Sequence, residues 1–200
     1  MYRAQRVSTL LLTIPPEVEF RSVVDSFAEV GYPSLAAKAD IVSFALLELV
    51  SNSMRAHRER GISEPVKVSF SAAGSELDIS VLDAGRGFDP RLLPYDLDAP
   101  VETVDLLSDS FAEYQRRYGG SRFGMGLYVA KKTFPRFTLS FVDRADRPCP
   151  WFSGLVKGTR IDLGLPIVES GSAPFVEARG EAAEPAGEVE ELLPLEEVGK

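Results

Sequence analysis

An acid, an amide and a cation follow in succession after a run of apolar residues in this chain. Glu48 and Asn52 stand four residues apart, and Arg55 follows three further on, so on a helix all three share one face. On such a face Glu48 can orient or deprotonate a nucleophile, Asn52 can hold a hydrated Mg²⁺, and Arg55 can meet a phosphate. The plainer reading is a polar end where the helix emerges into water. A second candidate closes the stretch "SVLDAGRGFDPR", where Asp83 continues the inward set Leu77, Ile79, Val81 of a period-two pattern. A carboxylate on a buried face is costly unless a partner meets it, and Gly85 and Gly87 beside it allow a sharp turn and a close approach. That partner is either protein or ligand.

The glycines of "GGSRFGMGLYVAKK" open a predicted helix, the geometry that cradles phosphate, with Gly124 and Gly126 at the tight positions. Glycines before helices also serve simple packing. The sequence is no Walker loop, and it lacks the protein-kinase "HRD" and "DFG" pair. Thr159, opening the strand "GTRIDLGLP", is placed to share a hydrogen bond or a water with Asp83, although threonine is common at a strand start. The lone histidine, His57, lies nine residues beyond Glu48, or about 180° round a helix at ~100° per residue. A packing or solvent role is therefore expected of it. Lys131 and Lys132 read as a solvated face.

The elements that must position these residues follow from periodicity and breakers. "RVSTLLLTIP" reads as a strand, "EVEFRSVVDSFAEVG" as a helix stopped by Gly31, and a long helix runs from near Leu35 to about Arg60, stopped by Gly61. Its centre, "IVSFALLELV", is apolar almost all round and predicts a buried helix. "PVKVSF" and "ELDISVLD" form a hairpin through "SAAGS". A long connection follows, broken by prolines and then carrying an amphipathic helix on Val104, Leu107, Phe111 and Tyr114. Its length marks a lid, at about residues 88–123. A helix from after Gly124 and the strands "RFTLSFVD" and "TRIDLGLP" complete an α/β two-layer sandwich, a mostly antiparallel mixed sheet with helices on one face.

Composition narrows the class. The run "TLLLTI" is too short to span a membrane and lacks a cleavage-site pattern, and the single Cys149 points to a reducing compartment, so a cytoplasmic protein is expected. Of the net charge of −8, the stretch Glu169–Lys200 carries −7 (nine acids, two bases), leaving the rest near −1. That near-neutral body offers no electrostatic footprint for nucleic acid. The acidic stretch, rich in Glu, Ala, Pro and Gly, reads as a disordered tail, or as a docking peptide on Leu192, Leu193 and Leu195.

Taken in order, "ELVSN", "DAGRG", "GMGL" and "GTRIDLGLP" resemble the N, G1, G2 and G3 boxes of the GHKL ATPase and kinase superfamily, over about residues 5–168. The resemblance implies the Bergerat ATP-binding fold in residues 1–168, with 169–200 as the tail, and ATP and Mg²⁺ as cofactors. It implies that Asp83 accepts a hydrogen bond from the adenine amino group, with Gly85 and Gly87 admitting the ring and the lid. Gly124, Met125, Gly126 and Leu127 form the phosphate-binding box, Asn52 carries Mg²⁺, Glu48 is the base and Thr159 supports the adenine end. Within the superfamily the first fifty-odd residues look most like the free-standing anti-sigma-factor serine kinases of bacteria. That likeness implies a protein partner such as a sigma factor or an anti-anti-sigma-like regulator, and a homodimer. Rival expectations are an ATP-gated ATPase switch and a non-catalytic module that sequesters its partner. The pattern departs from the family at Arg122, where a glycine is usual with Gly119 and Gly120 displaced upstream, and at His57, five residues after Asn52 instead of four.

Overall fold

Alternation along Glu76–Leu82 is realised in full. In a computed structural model, which describes residues 7–29, 38–118 and 125–167, Leu77, Ile79 and Val81 are buried while Asp78, Ser80 and Leu82 are half-buried. The chain runs β1 (Val7–Ile14), α1 (Phe20–Glu29), α2 (Ala39–Arg60), β2 (Val66–Ala73), β3 (Glu76–Leu82), α3 (Asp109–Arg117), α4 (Gly126–Thr133), β4 (Arg136–Val142), β5 (Pro148–Cys149), β6 (Gly158–Pro166). Six strands form one sheet in the order β1-β2-β3-β6-β4-β5. Every pairing is antiparallel, which sharpens the mostly antiparallel mixed sheet expected from sequence.

The β2–β3 hairpin is tighter than expected. Ala73 pairs with Glu76, so the turn is Gly74–Ser75 alone, with Gly74 at φ +60°, and Ser71–Ala73 stay in the strand. Between β4 and β6, two residues of the connection, Pro148 and Cys149, form β5, which pairs with the end of β4.

Helix α2 packs on the sheet through Val42, Ala45, Leu46, Leu49, Val50 and Met54, against Val68, Phe70, Ile79, Val81, Ile161 and Leu163. Each of these side chains other than Ala45, fully buried, contributes roughly 1.5–3 kcal/mol. The helix is not buried all round: Ile41 and Phe44 are each 53% exposed. With the sheet on one side, the opposite side of α2 faces outward whatever residues stand there. Its end is as expected, with Gly61 left-handed at φ +61° and the amides of Gly61 and Ile62 returning to the Arg58 and His57 carbonyls (3.3 and 3.0 Å). Among the described residues no helix is long and apolar enough to cross a membrane.

The long connection carries 3₁₀ turns at Pro90–Leu92 and Val101–Thr103 before α3. Only part of the amphipathic helix expected there forms. Val104 and Leu107 precede α3, and Leu107 is 94% exposed, whereas Phe111 is buried. Gly31, Leu35, Arg122, Gly124 and the acidic stretch 169–200 lie outside the described residues.

Candidate functional site

Asp83 ends the inward face of β3 with 9% of its surface exposed. Four donors meet its carboxylate. The amides of Gly85 (2.7 Å) and Thr159 (3.3 Å) donate to Oδ1, while the hydroxyls of Ser53 (3.2 Å) and Thr159 donate to Oδ2. A carboxylate offers about four acceptor sites, so the protein itself answers the cost of burial. A ligand donor must share or displace the longer of these bonds. The expected Thr159–Asp83 contact is present. Ser53 was not singled out from the sequence, yet it continues the stripe Leu46, Leu49, Val50 at a core position, and a hydroxyl there is the signal that reveals it.

The turn after Asp83 is held on three sides. Arg86 and Gly87 are both left-handed, at φ +57° and +63°. Arg86 donates its amide to the Lys157 carbonyl (2.8 Å), extending the β3–β6 ladder past the strand end. A Cβ on Gly158 would lie 1.7 Å from the Asp83 carbonyl oxygen, so β6 starts this close only as glycine. From α2, His57 is fully buried and bridges two backbone groups: its Nε2 accepts from the Ala84 amide (2.9 Å), and Nδ1 lies 2.8 Å from the Glu64 carbonyl. Those partners fix the neutral tautomer with the proton on Nδ1. The packing role expected of His57 is what the structure shows. Arg60, one turn on, donates to the carbonyls of Gly85 and Gly87, the latter at 3.3 Å. Sequence reasoning passed over Arg60, because a basic residue in a last helical turn is ordinary.

Glu48, Asn52 and Arg55 occupy successive turns of α2 and line a cleft of about 220 Å³. The same cleft is lined by Asp83, Gly85, Gly87, Met125, Gly126, Leu127 and Thr159, so every expected site residue except the undescribed Gly124 comes to one place. Helix α4 starts against α2: a Cβ on Gly126 would lie 2.4 Å from Asn52 Nδ2 and 3.5 Å from Glu48 Oε2. Met125 caps α4 without a side-chain bond, leaving the first amides to other acceptors. Arg55 donates to Asn52 Oδ1, and its Nε is 4.0 Å from Glu59 Oε1.

No group of three or more His, Cys, Asp or Glu that could hold a metal occurs among the described residues. That composition fits Mg²⁺ bound with a nucleotide, which takes one or two protein oxygens and draws the rest from phosphates and water. Asn52 Oδ1, which now accepts from Arg55, is a protein oxygen that would suit such an ion.

Phe88, Leu92, Leu93, Tyr114 and Tyr118 from the long connection complete the cleft, and none but Tyr114 was noted from sequence. This segment is fastened to α4. Lys131 donates to the carbonyls of Leu97 and of Ala99 (2.7 Å), so the solvated face expected of it is corrected: two converging carbonyls offer its ammonium a better site than water. Lys132 stays exposed, 5.7 Å from the Tyr128 ring centre. Tyr95 stacks on Phe111 (5.8 Å between centres) and meets Tyr128 edge-on (6.2 Å). Its buried hydroxyl forms no hydrogen bond of ordinary geometry, and burial pushes its pKa well above the usual phenol range. At the base of the segment, hydrogen bonds and charge from Arg91 hold the Asp89 carboxyl below the usual carboxylate range, and Arg91 also lies 4.6 Å above the Trp151 ring.

The chain matches the histidine kinase-, DNA gyrase B- and HSP90-like ATPase family over residues 37–169. It belongs to that family. The match runs from the start of α2 through the end of β6 and so takes in every element that lines the cleft. A comparison with curated proteins found no match. The GHKL resemblance and the Bergerat α/β fold are thereby established, and with them an ATP-binding domain type.

Proposed function

We propose that this GHKL domain is an ATP·Mg²⁺-dependent regulatory kinase that phosphorylates a serine or threonine of a protein partner. The observation that carries the reading is that Asn52, midway along α2, and Asp83, at the end of β3, line one cleft. An adenine amino group at Asp83 sets one end of the nucleotide, and the start of α4 receives phosphate at the other. Asn52 Oδ1 would hold Mg²⁺, which would supply charge neutralisation at the phosphates. In the transfer step the partner's hydroxyl oxygen attacks the γ-phosphorus, the bond from that phosphorus to the β–γ bridging oxygen breaks, ADP leaves, and the hydroxyl proton passes to the Glu48 carboxylate. Arg55 meets the phosphates, and Thr159 and Ser53 keep Asp83 oriented. The anti-sigma-kinase likeness supports a sigma factor or an anti-anti-sigma-like regulator as partner, a homodimer and a cytoplasmic location.

A second reading is an ATP-gated switch, and the Lys131 contact to Leu97 and Ala99 favours it because it links the last turn of the phosphate helix to the lid. Radiolabelled ATP separates the two. Label on a partner protein is the kinase outcome, and free phosphate without phosphoprotein is the switch outcome. ATP binding with neither product leaves only a sequestering module and ends both.

A further inference from the structure

We infer that Arg60 is a positioning residue for base recognition: its guanidinium, clamped on the Gly85 and Gly87 carbonyls, holds the Asp83–Gly87 turn in the shape that reads adenine. The inference rests on the ATP-site reading above and adds to it a residue outside the four boxes. A cation lining a cleft that takes a nucleotide is ordinarily assigned to phosphate. Here both guanidinium nitrogens with described bonds, Nη1 and Nη2, are committed to backbone carbonyls on either side of Arg86. Arg86 is a non-glycine residue at φ +57°, a costly conformation for an L side chain that persists only where surrounding bonds over-determine it. The planar fork of arginine spans the two carbonyls at once, which a lysine ammonium cannot do with the same geometry. Gly85, whose carbonyl Arg60 holds, also donates its amide to Asp83 Oδ1, so the clamp reaches the carboxylate through one residue.

The arrangement has a consequence that a phosphate ligand would not produce. Loss of Arg60 weakens the base end, so ATP and ADP lose affinity by the same factor, about tenfold, and preference for ATP over GTP falls by a similar factor. A phosphate-binding arginine would instead cost ATP more than ADP and leave base preference intact. The experiment measures calorimetric Kd values for ATP, ADP and GTP with Mg²⁺ on the full chain as wild type, Arg60→Ala and Arg60→Lys, with amide hydrogen exchange over residues 83–88 in the nucleotide-free protein. Expected are equal ATP and ADP losses in Arg60→Ala, partial recovery in Arg60→Lys, and faster exchange confined to that turn. Unchanged affinities and exchange in Arg60→Ala, or a loss for ATP alone, overturn the inference while the ATP site stands. Wild-type protein that binds no adenine nucleotide overturns the ATP-site reading and this inference with it, even if exchange changes. Should Arg60→Ala fail to fold, the ATP-to-ADP ratio in Arg60→Lys decides the matter alone.

Discussion

At the Asp83 end of the cleft the buried Ser53, Thr159 and His57 and the exposed Arg60 converge on one five-residue turn, and each of their bonds ends on the backbone or on the buried Asp83 carboxylate. At the Asn52 end the described bonds run between partly exposed side chains, Arg55 to Asn52 and Arg55 towards Glu59. The first set needs no ligand to form, whereas on the proposed reading the second is of a kind that incoming phosphate and metal would replace. Preorganisation is thus concentrated where selectivity is decided, and exchangeable contacts where charge must be rearranged.

Substitutions at the two ends should therefore fail differently. The largest effect is expected from Glu48→Gln: phosphoryl transfer falls by about 100-fold or more while ATP affinity holds, measured by label transfer and calorimetry on the same preparation. Affinity lost in parallel with rate would erase the division between the ends. Next is Asp83→Asn, which sets an amide donor against donors already in place. ATP affinity drops about 100-fold and the melting temperature falls, because buried hydrogen bonds to a carboxylate contribute ~1.5–3 kcal/mol each. A smaller effect is expected of Lys131→Ala, which frees the Leu97 and Ala99 carbonyls: stopped-flow release of a fluorescent ATP analogue accelerates by about three- to tenfold with little change in base preference.

The smallest concerns Tyr95. Tyr95→Phe removes a buried hydroxyl without an ordinary partner, so stability at neutral pH is unchanged or rises by under about 1 kcal/mol. The sign with pH follows from the raised pKa. The folded state favours the neutral phenol, so this stabilisation is complete below the unfolded value of 10.0 and is lost as pH rises above it. Wild-type melting temperature should accordingly fall more steeply than that of Tyr95→Phe above about pH 10, with the lid packing reporting the loss.

Much of this was legible in the order of residues. The two-residue period of β3 identified its buried face and made Asp83 conspicuous, and Gly61 marked the end of α2 through a conformation only glycine adopts cheaply. The four boxes carried the site because each joins a local backbone requirement to a polar group. What stayed hidden depends on neighbours far away in sequence. Nothing local tells that Arg60 meets residues 85 and 87, or that Lys131 meets residues 97 and 99, since both look like ordinary basic side chains near helix ends. Apolar content likewise said that α2 is buried but not that Ile41 and Phe44 face out, which is settled by a sheet lying on one side only.

Helix α4 begins in the floor of the cleft at Gly126 and, five residues later, grips the overhanging segment through Lys131. An eight-residue helix is about 12 Å long and too short to bend appreciably. It therefore serves as a short strut between floor and rim, tied to residues 97–99 by the single side chain of Lys131.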